Sequence, residues 1–135
     1  MSFLFDASSI FEALIKGSIR ILSGNYTVEI ARYELGNILW RRRVLVGDIS
    51  SDECIRLAVV MEKVLKLMEI MGVGCYETEI LKLAEGLKLS FYDSSYVYTA
   101  KAKDVYLVTE DVELRKKVEG YIKAIGLDEV MERRL

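Results

Sequence analysis

Short apolar β-prone runs alternate with segments of helical apolar spacing along the chain, with no linker, repeat or composition break. This rhythm constrains the fold more than any other feature. Parallel strands need a long crossover between them and a helix is the usual one, so the alternation predicts one α/β domain with a mainly parallel sheet. At 135 residues the chain is the length of one compact domain.

The predicted order begins with a strand at Phe3–Phe5 and a helix through Ile10, Phe11, Leu14 and Ile15, stopped by Gly17. A short helical turn at Ile21-Leu22 and a turn at Ser23-Gly24-Asn25 lead to a second strand, Tyr26–Val28. Glu29 to about Arg43 reads as helix, and Ser50-Ser51-Asp52-Glu53 opens the next one, to Lys66, with capping chemistry. A third strand is expected within Met68–Val73, a helix over Thr78–Glu85 capped by Gly86, and another from Ser90 to about Lys103. Val105–Val108 is the clearest strand. A helix from Thr109-Glu110-Asp111 through Val118, a last strand within Tyr121–Ile125 and a terminal helix Leu127–Arg134 complete the chain.

Composition removes several kinds of chemistry. There is no histidine, so no Ser-His-Asp or Cys-His pair, no His-ligated zinc and no imidazole acid or base is available. Cys54 and Cys75 are too far apart for a C-x-x-C motif and, in apolar surroundings, read as core packing. Charges spread along the chain leave no stretch for crossing a bilayer, and Met-Ser-Phe-Leu-Phe-Asp lacks a basic signal region, so a cytoplasmic protein is expected. A net charge of −2 argues against a generic nucleic-acid coat but allows an enzyme whose acidic site is neutralised by cations.

In parallel α/β sheets, ligands bind beyond the carboxyl ends of the strands, where the strand order reverses. The two best strands both run into acid there, at Asp6 and at Thr109-Glu110-Asp111. Asp93 opens the preceding helix, and Glu34 shares a helix face with Asn37 and Arg41 by i, i+3, i+7 spacing. Each acid also has a purely structural reading. Asp6 and Asp111 suit helix N-caps, Ser90-x-x-Asp93 resembles a capping box, and Glu34 suits a solvated face. If the four converge, their repulsion calls for a cation, and an all-oxygen set favours Mg²⁺ or Mn²⁺.

Four segments in order carry a family resemblance. They are Phe-Leu-Phe-Asp6-Ala-Ser8-Ser9-Ile, Tyr33-Glu34-Leu-Gly-Asn37-Ile-Leu-Trp, Leu-Ser90-Phe-Tyr92-Asp93-Ser-Ser-Tyr96 and Leu-Val-Thr109-Glu-Asp111. Together they resemble the PIN-domain nucleases, most of all the small VapC-type toxins of toxin-antitoxin pairs, over nearly the whole chain. The resemblance implies a single PIN-like domain over residues 1–135, a three-layer sandwich with a central sheet of about five strands. It implies that Asp6, Glu34, Asp93 and Asp111 hold one or two Mg²⁺ or Mn²⁺ ions, supported by Ser8, Thr109 and Asn37. It also implies an endoribonuclease that leaves 5′-phosphate and 3′-hydroxyl ends, a homodimer and an antitoxin partner. Two departures are Ala7, where many relatives carry Thr, and the missing proline before the Glu34 helix.

Arg41, and less so Lys101, Lys103 and Arg115-Lys116-Lys117, are candidate contacts for RNA phosphates. Tyr92 and Tyr96 suit either base stacking or core. The apolar surface of the 50–66 helix, widened by Val59 and Val60, suits core burial with some left for a partner. Other readings are an RNA-processing nuclease without a toxin role, a non-catalytic binding module, and a receiver-like phosphoacceptor. The last needs an Asp at the end of the third strand, where this chain offers only Glu69.

Overall fold

The computed structural model describes residues 1–133. The expected terminal helix over Leu127–Arg134 and the single domain over 1–135 therefore extend to residues outside those described. Five strands form one sheet in which every pairing is parallel: β1 (Phe3–Phe5), β2 (Tyr26–Val28), β3 (Glu69–Met71), β4 (Tyr106–Val108) and β5 (Ala124–Ile125). Their spatial order is β3-β2-β1-β4-β5. The order reverses between β1 and β4, which pair in register as Phe3 with Tyr106, Leu4 with Leu107 and Phe5 with Val108. A receiver-like domain runs 2-1-3-4-5, so that reading is set aside on topology as well as on the missing Asp.

The helices are α1 (Ala7–Lys16), α2 (Ile30–Trp40), α3 (Ser51–Leu67), α4 (Glu77–Leu87), α5 (Phe91–Lys103), α6 (Val112–Lys117) and α7 (Leu127–Arg133). One group is α1 packed with α2, α3 and α7; in the other, α4 packs on α5 and α5 packs on β1, β2 and β4. This is the expected α/β sandwich. The core between the layers is built from fully buried side chains such as Leu4, Phe5, Ile10, Leu35, Val97, Leu107 and Leu127.

Buried polar side chains pin the central strands. Asn25 accepts from the Phe3 amide at 2.9 Å and donates to the Ile21 carbonyl at 2.6 Å, and Thr27 donates to the Phe5 carbonyl at 2.7 Å. Ser9 donates to the Val108 carbonyl at 2.7 Å, tying the start of α1 to the end of β4. The Asn25 bonds hold the amino edge of the sheet, and the Thr27 and Ser9 bonds hold the carboxyl edge, on which the acids stand.

Several boundaries differ from the sequence reading. The third strand covers only Glu69–Met71 of the expected 68–73, and the last only Ala124–Ile125 of 121–125. The Tyr121 and Ile122 amides instead donate to the Val118 carbonyl as α6 unwinds. The second helix does not stop near Arg43: α2 continues into a π-helical segment, Arg41–Val46, closed by left-handed Gly47. Gly86 is not a cap but lies inside α4, and Lys88, at φ 57°, ends that helix. The cysteines are not core residues, since Cys54 is half-buried and Cys75 exposed. By contrast α3 opens with a complete capping box between Ser50 and Glu53.

Candidate active site

Asp6 follows β1, its amide held by the Val108 carbonyl at 3.1 Å. Its Oδ1 accepts from the Ser9 amide at 3.0 Å, capping α1, and from the Ser8 hydroxyl at 2.7 Å. Asp111 follows β4 and caps α6 through Oδ1, which accepts from the Leu114 amide at 3.1 Å. Ser90 caps α5 by accepting from the Asp93 amide at 3.0 Å, which seats Asp93 in the first turn. The capping reading therefore holds for Asp6 and Asp111, and it leaves both carboxylates at the carboxyl edge of the sheet. For Asp6 and Asp111, the cap engages one carboxylate oxygen and sets the direction of the other.

Glu34 comes from the middle of α2. It is half-buried, and its Oε1 accepts from the Tyr96 hydroxyl of α5 at 2.6 Å. A hydroxyl chain links the two strand ends. Ser8 accepts from the Glu110 amide at 3.1 Å, and Thr109 accepts from the Asp111 amide at 3.1 Å. The Ser8 hydroxyl donates to Asp6 and lies 3.3 Å from the Thr109 hydroxyl.

One cavity of about 250 Å³ is lined by Asp6, Ser8, Glu34, Asn37, Asp93 and Asp111, together with Tyr96. The sequence-predicted set is thus brought together apart from two residues. Thr109 is fully buried behind the cavity, touching it through Ser8. Arg41 opens the π-helical segment, is exposed and does not line the cavity. Larger grooves of about 610 and 520 Å³ at the β5 edge share no residue with the acidic one.

The electrostatics are those of uncompensated acids. Burial raises the Asp6 carboxyl above its ordinary value, against hydrogen bonds from Thr109, Ser9 and Ser8. Burial also raises Glu34, the Tyr96 bond opposes it, and the charges of Asp6 and Asp93 add to it. Asp93 is raised by burial and by Asp111, with Ser90 and Lys117 acting the other way. None of the four acids forms a salt bridge among the described residues.

A divalent cation suits this donor set, which offers hard oxygen ligands, negative charge without a salt bridge among the described residues, and capped carboxylates with an oxygen to spare. As the side chains stand, no three metal-binding acids or thiols among the described residues are drawn together tightly enough to chelate an ion. The four carboxylates line one cavity, with Asp6 and Asp111 held by their capping bonds and Glu34 by its tyrosine bond.

Sequence reasoning missed Tyr96 as a partner of Glu34 and Lys117 as the cation nearest in effect to Asp93. A tyrosine three residues after Asp93 lies on the same helix face, but nothing in the sequence marks its partner, 62 residues away. Tyr92, the other aromatic of that segment, is exposed.

An acidic cavity at the switch point of a 3-2-1-4-5 parallel sheet, with acids at the ends of β1 and β4, defines an α/β domain of the PIN type. No family model matches the chain. It is 30% identical over 128 residues to a protein named Exonuclease VapC9 from Pyrobaculum aerophilum, covering 90% of each chain. It also superposes on the crystal structure of PAE2754 from Pyrobaculum aerophilum with a TM-score of 0.81 at 28% identity, over 98% of this chain and 88% of the other. VapBC2 from Rickettsia felis, solved bound to a DNA fragment from its promoter, shares the fold with a TM-score of 0.63 at 16% identity, over 93% of this chain and 98% of that one. The chain belongs to the VapC family of PIN-domain proteins.

Proposed function

We propose that the acidic cavity is the active site of a divalent-cation-dependent endoribonuclease, the toxin of a toxin-antitoxin pair. The observation that carries this reading is that four carboxylates from four separate elements ring one cavity without a salt bridge among the described residues. The relative named as an exonuclease supports a nuclease, and the fold shared with VapBC2 supports an antitoxin partner.

In this reading Asp6, Glu34, Asp93 and Asp111 hold Mg²⁺ or Mn²⁺. Such an ion, when bound, lowers the pKa of water and offsets charge on a scissile phosphate, so hydrolysis needs no histidine. Ser8 and Thr109 keep Asp6 and the Asp111 backbone in place through the hydroxyl chain. Asn37 presents its amide at the cavity wall, within reach of a bound substrate. Arg41 meets the RNA backbone outside the cavity, where its exposed position leaves it free to do so.

A protein partner is supported by an exposed apolar face. Trp40, Val44, Leu45 and Val46 lie on α2 and its π-helical extension, with Ile55 and Val59 on α3. An antitoxin or a second copy of the chain, forming a homodimer, would cover it, because exposed apolar patches commonly mark interaction surfaces. No helix among the described residues is long and apolar enough to cross a membrane. In this reading the enzyme acts on RNA in the cytoplasm. An RNA-processing nuclease without a toxin role would share the chemistry but would not arrest growth when expressed alone.

The test is cleavage of single-stranded RNA, linear and circular. Cleavage is expected with Mg²⁺ or Mn²⁺ and is lost with EDTA and in Asp6→Asn and Asp93→Asn. Endonucleolytic attack linearises the circle, whereas an exonuclease leaves it intact. Undiminished cleavage in EDTA, or by Asp93→Asn, contradicts the proposal.

A further inference from the structure

Tyr96 stands out among the buried groups that the proposed chemistry does not use. Its side chain is 1% exposed, yet its hydroxyl reaches out of the core to the cavity and donates to Glu34 Oε1 at 2.6 Å. It lies on α5 three residues after Asp93, so one helix face presents both residues. The bond joins α5 to α2, and it is the one hydrogen bond to the Glu34 side chain among the described residues.

We propose that Tyr96 is a positioning residue for Glu34: it holds one carboxylate oxygen, directs the other to the cavity, and so sets the affinity of the acidic site for a divalent cation. This rests on the reading of the cavity as a cation site. Glutamate is the longest and most mobile of the four acid side chains in this set, and fixing its rotamers costs conformational entropy. Asp6 and Asp111 are already fixed by their caps, at Ser9 and Leu114, but Glu34 sits mid-helix and has no cap to hold it. Tyr96 takes that role. Groups that orient metal ligands in this way typically account for about 10–100-fold in metal affinity or activity.

The simpler alternative is that Glu34 only satisfies a buried phenol, since such a hydroxyl normally finds a partner. The two roles make different predictions, because a packing role affects stability while a positioning role affects cation affinity.

The experiment titrates the whole chain with Mn²⁺ alone by calorimetry, in the wild type, Tyr96→Phe, Glu34→Gln and the double variant. Tyr96→Phe keeps the ring in the core and removes only the hydroxyl. It is expected to weaken Mn²⁺ binding about 10–100-fold, Glu34→Gln at least as much, and the double variant no more than Glu34→Gln. RNA cleavage by Tyr96→Phe should need more Mn²⁺ for half-saturation but recover a near-wild-type kcat at saturating Mn²⁺. Tyr96→Met also fills the core without a hydroxyl, and it should show the same weakening if Tyr96→Phe folds poorly. Unchanged or tighter Mn²⁺ binding by folded Tyr96→Phe or Tyr96→Met overturns the positioning role. Wild-type Mn²⁺ binding by Glu34→Gln overturns the cation reading itself.

Discussion

Asp93 illustrates what the site demands of single residues. Burial and the neighbouring Asp111 raise its carboxyl, as burial raises Asp6 and Glu34. A carboxyl raised in the folded state contributes stability that is complete below the unfolded value and is lost as pH rises through the folded one. The metal-free protein should therefore lose stability from about pH 4 upward across the raised carboxyl range, and Mn²⁺ should offset the loss. Asp93→Asn should raise the metal-free Tm near neutral pH, by roughly 3–5 °C for each ~1 kcal/mol of relieved repulsion, and should abolish cleavage. Thermal melts in EDTA and in Mn²⁺ across this range check both statements, and a lower Tm in Asp93→Asn contradicts them. Asp6 and Asp111 were legible because an acid closing an apolar run is visible locally, whether it acts as cap or ligand. Tyr96 was not, because an aromatic at helical spacing looks like core, which it also is, and Glu34 is distant in sequence.

At the scale of elements, the ends of α4 show where local signals mislead. Gly86 looked like a stop, but the helix runs through it, and Lys88 takes the left-handed turn. A Cβ at Gly86 would meet nothing within 4 Å. Gly86→Ala should therefore stabilise the protein by about 0.5–1 kcal/mol, and Lys88→Gly, which relieves a left-handed lysine, by about 1 kcal/mol. Denaturant midpoints at unchanged slope read both effects, and destabilisation by Gly86→Ala would return the helix end to residue 86. The cap at Ser50 was legible because its partners are three residues apart. The π-helical segment was not: Arg41–Val46 has no glycine or proline before Gly47 to stop the helix, and the pattern gives no sign of a change in winding. Strands of two or three residues blur for a similar reason, since adjoining apolar residues such as Tyr121 and Ile122 bond elsewhere.

At the scale of the whole molecule, alternation of strand and helix was enough for a parallel α/β sheet, because short parallel strands admit few other solutions. The strand order was not legible. Pairing of β1 with β4 joins residues about a hundred positions apart, and only long-range packing selects it over the alternatives. That pairing sets Asp6 beside the end of β4, a short distance from Thr109 and Asp111. The helices on the two faces then bring Glu34 from α2 and Asp93 from α5 to the same cavity. The central claim is that this convergence exists to hold a divalent cation. It is tested most directly by soaking crystals of the wild-type protein in Mn²⁺ and locating the ion by its anomalous scattering. The account predicts a peak within the cavity bounded by Asp6, Glu34, Asp93 and Asp111. A cavity without such a peak, with manganese bound only elsewhere on the protein, would contradict it.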